Sequence, residues 1–156
     1  MSQHKATIEW RRNGVAFTDN KYSRGHKWHF DGGLSVAASS APHVVPLPFS
    51  LTEAVDPEES FVASLASCHM LWFLSLAAKE GFLVDSYLDE ADGVVGKNGE
   101  GKLAVTQVTL HPSVTFAGTP PALAKYEAMH HEAHERCFIA NSVKTAVRCD
   151  AEIVIR

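Results

Sequence analysis

The chain has 156 residues, of which 46% are hydrophobic and 21% charged, which fits one domain, residues 1–156, or one protomer of an intertwined oligomer. The net charge is −4 and the basic residues are scattered along the chain. This charge gives no electrostatic basis for binding nucleic acid or an anionic membrane.

Two further properties predict a cytoplasmic protein. The N-terminal segment MSQHKATIEWRRNG lacks a cationic start followed by an apolar run, so we predict no secretory signal. The three cysteines, Cys68, Cys137 and Cys149, are odd in number and widely spaced, which does not fit a secreted disulfide framework. In a reducing compartment, a disulfide between two of them would be transient and catalytic rather than structural.

The first part of the chain, residues 5–36, predicts strands. KATIEW alternates apolar and polar side chains, GVAF and HKWHF are short and aromatic, and Asp31-Gly32-Gly33 marks a turn before LSVAAS. The loop APHVVPLPF follows, and its prolines exclude a helix and a central strand.

A long apolar helix is predicted from Pro57 to about residue 80. Asp56 as the N-cap and Glu59 three residues later form a capping box, and Gly81 is a C-terminal stop. Apolar side chains surround most of the helix, so we expect it to be buried on most sides. Polar residues within it, such as His69, argue against a membrane span.

The rest of the chain predicts further strands and a second helix. LVDSYLDEADGVVG and LAVTQVTLHPSVTFAG read as strands, separated by the polar turn GKNGEG. A helix from about Thr119 to Cys137, a short helical piece, ANSVKTA, and a terminal strand, AVRCDAEIVIR, follow. This order predicts an α+β fold with helices packed on mainly antiparallel sheets. The apolar helix is hard to cover in so short a chain, which favours a dimer.

Cys68 and Cys137, on the two predicted helices, are candidates for a reactive pair, although a helical cysteine among Ala and Leu is usually a small hydrophobe. Cys68 is mid-helix, where the helix dipole is weak, and apolar burial disfavours a thiolate. A reactive Cys68 therefore needs a cation from elsewhere. Arg24 is one candidate, and His69, which points about 100° away, is a weaker one. Glu58, roughly 15 Å along the helix, would act only indirectly, for example by orienting an arginine.

The histidines in MHHEAHERC form a candidate metal site. His130 and His134 are spaced i, i+4, Cys137 is near them, and the more distant His26 and His29 could contribute. The sequence lacks the HExxH pattern, and a solvated helix face is the favoured interpretation, so no metal ligand is assigned.

Other common catalytic motifs are missing from the sequence. GKNGEGK lacks the spacing and the following helix of a phosphate-binding loop, and there is no nucleophilic serine elbow. Cys149, on the predicted terminal strand, is interpreted as structural.

Taken together, DPEESFVASLASCHMLWFLSLAA and the distant HERCFIANSVKTAV resemble the OsmC/Ohr family of thiol peroxidases. The resemblance covers nearly the whole chain, and its specific part is Pro-Glu followed by a cysteine ten residues after the glutamate. YSRGHKWHFDGG is similar to the early strand region that carries the family's arginine. Phe138 follows the second cysteine where Ohr-like sequences typically have Pro, so the chain resembles OsmC-like proteins more than strict Ohr.

The resemblance implies an OsmC-like intertwined homodimer, with mainly antiparallel sheets around two long central helices and an active site at the interface. By motif position, it implies Cys68 as the peroxidatic cysteine and Cys137 as the resolving one. It also implies Glu58 as the glutamate that holds the catalytic arginine, and Arg24 as that arginine, with the pair Arg11-Arg12 as fallbacks.

The implied activity is reduction of organic hydroperoxides to alcohols through a Cys68 sulfenic acid and a Cys68–Cys137 disulfide. An external dithiol, such as a lipoylated or thioredoxin-like protein, would reduce that disulfide, and no cofactor is required. An apolar surround would favour organic peroxides; the candidates are Phe61, Leu65, Met70, Trp72 and Phe73.

Two alternatives stay open from the sequence. One is a ligand-binding or stress-associated dimer of the same fold with little physiological peroxidase activity. The other is a metal-binding protein that uses the histidine run.

Overall fold

The computed structural model describes residues 1–154, so the last two residues of the predicted terminal strand lie outside the described part. The chain divides into two compact units, residues 1–60 and a unit that begins at Phe61. The prediction of one domain over residues 1–156 stays a prediction.

The first unit contains a three-stranded antiparallel sheet formed by β1 (Ala6–Glu9), β2 (His26–Phe30) and β3 (Ser35–Ala38), in that order. The turn between β2 and β3 has Gly33 at a φ of 87°, a conformation that costs glycine little. The strand predicted at GVAF is wrong. Phe17 instead packs in a loop against Trp10 and Tyr22, with ring centroids 5.7 and 4.6 Å away.

Helix α1 spans Pro57–Lys79, and its start confirms the predicted capping box. The Glu59 amide donates to Asp56 Oδ1 at 2.7 Å, and the Asp56 amide donates to Glu59 Oε2 at 3.2 Å. Gly81, with a φ of 82°, follows the end of the helix as predicted.

Besides most of α1, the described part of the second unit contains six strands, a second helix and one helical turn. In chain order these elements are β4 (Leu83–Asp89), β5 (Asp92–Lys97), β6 (Leu103–Leu110), β7 (Pro112–Ala117), α2 (Leu123–Arg136), a 3-10 helix (Ala140–Ser142), β8 (Ala146–Cys149) and β9 (Glu152–Val154).

These strands form two three-stranded sheets, ordered β4-β7-β9 and β5-β6-β8. In each sheet the first pair is antiparallel and the second parallel. The predicted terminal strand therefore divides after Cys149, and its two parts join different sheets. Two helices with antiparallel and mixed sheets confirm the predicted α+β class.

The core of the second unit lies where α1 and α2 pack together and against β7. Phe73 of α1 contacts Tyr126 of α2 at a ring-centroid distance of 5.7 Å, and Val114 of β7 belongs to the same cluster. The buried face of α1 is formed by Leu65, His69, Phe73, Leu76 and Ala77. The other faces of the helix carry Cys68 and the exposed Leu71.

Helix α1 has the length and apolar composition of a membrane span and is the one helix in residues 1–154 that does. This observation is weak by itself, because core helices of globular proteins have the same composition. The prediction that the chain does not span a membrane remains an expectation.

Candidate active site

Cys68 lies on a face of α1 that lines an apolar cavity of about 560 Å³. Helical spacing places Ser64, Leu71, Trp72 and Ser75 on the same face. The remaining residues that line the cavity are Ser67, Phe138 and Ile139. The cysteine is half-buried, so a small molecule in the cavity can reach its sulfur.

Cys137 is buried at the C-terminal end of α2, where its extended backbone stops the helix. The Ala140 amide, on the following helical turn, donates to Cys137 Sγ at 3.3 Å. Burial raises the pKa of the Cys137 thiol to about 11, and the nearby Cys68 side chain adds to this increase. The structure therefore brings Cys68 and Cys137 into contact, both as free thiols.

The apolar surround of Cys68 differs from the predicted set. Trp72 lines the cavity, but Leu65 and Phe73 are buried in the core and Phe61 packs against a core cluster. The sequence analysis did not predict that Phe138 lines the cavity. Its ring packs edge-on against Trp72 at a centroid distance of 5.8 Å. The sequence left open which of the candidates face the site, because apolar residues surround this helix and leave no polar stripe to orient it.

Arg136, which the sequence analysis did not single out, also lies beside this cavity. Its guanidinium sits 5.5 Å from the centre of the Trp72 ring and pairs with Glu132 at 2.5 Å. The sequence could have indicated that Arg136 lies near the thiol site, because Arg136 directly precedes Cys137.

Arg24 and Glu58 belong to the first unit, where both line a second cavity of about 460 Å³. Trp10, Phe17 and Tyr22 form much of its wall. Arg24 is thus the early arginine that shares a cavity with Glu58.

The guanidinium of Arg24 is held by its own loop. It lies 3.9 Å above the Tyr22 ring and donates to the Tyr22 carbonyl, to the Asn20 carbonyl at 3.0 Å and to Asn20 Oδ1 at 2.7 Å. Among the ion pairs of residues 1–154, none joins Arg24 to Glu58. The implied pair between Glu58 and Arg24 is not formed, because these acceptors already engage the guanidinium.

The fallback arginines are placed differently. Arg11 is largely exposed and pairs with Glu9 at 2.6 Å, while Arg12 donates to the Val15 carbonyl at 2.8 Å. Neither is among the residues that line the cavity of Glu58.

A second cluster of reactive side chains joins His69, His130 and Cys149. His69 Nε2 lies 2.9 Å from His130 Nδ1, and Cys149 Sγ lies 3.7 Å from each of these nitrogens. Burial lowers the pKa of His69 to about 4, helped by the charge of His134, and burial with the charge of His69 lowers that of His130 to about 3. Burial also raises the pKa of Cys149 to about 12, helped by Asp89 and Asp150.

This arrangement changes the interpretation of the histidine run. The sequence paired His130 with His134 and placed Cys137 near them, whereas the structure turns His130 inward to His69 and Cys149. Cys149, expected to be structural, thus lies in a group of potential metal ligands.

The described geometry defines an α+β protein with two thiols in contact beside an apolar cavity. The chain belongs to the OsmC family, because the family model described as "OsmC-like protein" matches residues 50–152. A search of curated proteins finds no match.

Solved structures agree with this assignment. An OsmC-like protein of unknown function from Vibrio cholerae is 58% identical, with a TM-score of 0.94 over 99% of this chain and 100% of that one. An organic hydroperoxide resistance protein from Elizabethkingia anophelis is 14% identical, with a TM-score of 0.71 over 100% and 98% of the two chains. The corresponding protein OhrB of Bacillus subtilis is 16% identical, with a TM-score of 0.62 over 98% of each chain. At these low identities, the last two show the fold alone.

Proposed function

We propose that this protein is a thiol-dependent peroxidase that reduces organic hydroperoxides to alcohols. The observation that carries the proposal is the contact between Cys68, on an apolar cavity, and the buried Cys137. A core-filling role would not require one thiol to be accessible and the other to lie directly against it.

The proposed cycle has three steps. The Cys68 thiolate attacks the distal peroxide oxygen, the O–O bond breaks, and the alkoxide takes a proton and leaves as the alcohol. Cys137 then attacks the Cys68 sulfenic acid, so that an S–S bond forms and water leaves. A dithiol such as a lipoylated or thioredoxin-like protein reduces the disulfide by exchange and becomes a disulfide itself.

Arg24 and Glu58 are proposed to activate the peroxidatic thiol. A guanidinium favours a thiolate by charge and hydrogen bonding, and a carboxylate can hold the guanidinium in a bidentate pair. Their shared cavity supports the assignment. It requires Arg24 to exchange its contacts with Asn20 for Glu58.

A homodimer is part of the proposal, and we place it in the cytoplasm. The face of α1 that carries Cys68 includes Leu71, which is 61% exposed, and Phe138 beside it is 71% exposed. Apolar side chains this open are stabilised when a second copy covers them.

Peroxide consumption with a supplied dithiol tests the proposed activity. Reduced protein should consume cumene hydroperoxide catalytically with dihydrolipoamide, and Cys68→Ser should abolish turnover. Ala78→Ser places a serine at an exposed site near the end of the same helix and should retain it. Equal peroxide consumption by wild type and Cys68→Ser would contradict the proposal and favour a ligand-binding role.

A further inference from the structure

His69, His130 and Cys149 come from three separate elements, α1, α2 and β8, and meet inside the second unit. His69 and His130 are 1% and 4% exposed, and Cys149 is partly buried. The three donor atoms, one from each side chain, lie within 4.8 Å of one another. The cluster is distinct from the Cys68–Cys137 pair.

The donor spacing suits a tetrahedral metal ion. Zinc bonds of about 2.0–2.1 Å to nitrogen and about 2.3 Å to sulfur place tetrahedral donors roughly 3.3–3.6 Å apart. Both sulfur-to-nitrogen distances here are 3.7 Å, and the nitrogen-to-nitrogen distance is 2.9 Å. The two imidazoles are nearly coplanar, at 7°, so they must separate slightly and turn toward a common point beside them.

The hydrogen bond between His69 and His130 uses only one nitrogen of each ring. His69 Nδ1 and His130 Nε2 are buried without a hydrogen-bond partner in residues 1–154. Two neutral imidazoles that share one hydrogen bond leave one ring N–H and one ring lone pair unpaired. A metal held by His69 Nε2 and His130 Nδ1 would place a proton on each of these outer nitrogens and so fix the tautomer of both rings.

A cavity of about 350 Å³ leads to the cluster. His130 and Cys149 both line it, together with Glu127, His131 and His134. The cavity provides an entry path for an ion, and it offers water or His134, one turn after His130, for a fourth coordination position.

We propose that His69, His130 and Cys149 bind a zinc ion that ties helices α1 and α2 to strand β8. Two neutral imidazoles and one thiolate suit a borderline-soft divalent cation better than Mg²⁺ or Ca²⁺, which prefer oxygen ligands. Binding displaces the Cys149 thiol proton into solvent and replaces the hydrogen bond between the histidines.

Cobalt spectroscopy on a single-thiol protein tests the site. The full-length variant Cys68→Ser/Cys137→Ser keeps Cys149 as its one thiol, so a sulfur-to-cobalt charge-transfer band can arise only there. After reduction and chelation, this protein should bind one Co²⁺ per chain with that band, and Zn²⁺ should displace the cobalt. Adding Cys149→Ser should remove the band.

Thermal unfolding can report zinc binding in the wild-type protein, so this test does not depend on whether the double variant folds. Zn²⁺ should raise the melting temperature of chelated wild type and of His43→Gln, which removes an exposed histidine. The increase should be lost in Cys149→Ser. A folded single-thiol protein without the band, or an undiminished increase in Cys149→Ser, would overturn the proposal.

Discussion

The thiol of Cys137, at the C-terminal end of α2, lies beside Cys68 in the middle of α1, close enough for the Cys68 thiol to help raise the pKa of Cys137. One sulfur is accessible from an apolar cavity and the other is buried behind it. This order suits a reaction in which the first thiol meets a substrate and the second follows.

Removing the second thiol should stop the cycle after its first step. In Cys137→Ser, peroxide should still add one oxygen atom to Cys68, but no disulfide can form and the sulfenic acid should oxidise further. Turnover with dihydrolipoamide should fall at least about tenfold, because sulfinic and sulfonic acids are not reduced by dithiols. Mass spectrometry of the Cys68 peptide measures this, and wild-type turnover in Cys137→Ser would contradict the role of Cys137.

The step that forms the disulfide should depend on pH. Because the pKa of Cys137 is raised to about 11, this thiol is protonated at pH 7, whereas the attacking species is a thiolate. The rate should therefore rise about tenfold per pH unit above pH 7 and level off near the pKa.

Stopped-flow tryptophan fluorescence can follow this step, since Trp72 lines the cavity. Cys137→Ser is the control, because it should lack the slower, pH-dependent phase. A disulfide-forming rate that does not change between about pH 7 and 9 would count against Cys137 as the attacking group.

The arginine assignment predicts unequal effects when Arg24 and Arg11 are replaced. Arg24→Ala should slow the reaction of Cys68 with peroxide about a hundredfold, because the thiolate loses its cation. Arg11→Ala, at a largely exposed side chain, should change the rate little. Single-turnover rates measure both, and circular dichroism checks the fold. A larger rate loss in Arg11→Ala than in Arg24→Ala would indicate that Arg11, and not Arg24, activates Cys68.

Phe138 should contribute to peroxide selectivity. Phe138→Ala removes an apolar wall of the cavity and should lower the preference for cumene hydroperoxide over hydrogen peroxide roughly tenfold, since apolar pocket contacts discriminate by about 1–3 kcal/mol. The ratio of the two second-order rate constants measures this preference. Leu123→Ala, at an exposed residue outside the cavity lining, is the control. An unchanged ratio in Phe138→Ala would remove Phe138 from the substrate site.

Patterns among neighbouring residues were sufficient to predict much of the fold. The start of α1 follows from Asp56 and Glu59, whose reciprocal hydrogen bonds need only neighbouring residues, and its end follows from Gly81. The strand predicted at GVAF failed because Phe17 gains more by packing on Trp10 and Tyr22 than by joining a sheet.

The candidate sites were harder to predict from the sequence than the fold. The motif indicated Cys68 and Cys137, but the rotation of an apolar helix cannot be determined from its pattern. The sequence therefore could not separate Leu65 and Phe73, which lie in the core, from the residues that line the cavity. The meeting of His69 and Cys149 depends on tertiary packing of distant elements, and no short motif records it.

The most direct measurement is intact mass over seconds after reduced protein is mixed with a slight excess of cumene hydroperoxide. We predict that wild type loses two hydrogen atoms, that peptide mapping finds a Cys68–Cys137 disulfide, and that Cys68→Ser shows no such change. Folded, fully reduced wild type that keeps its mass for minutes would contradict the peroxidase account.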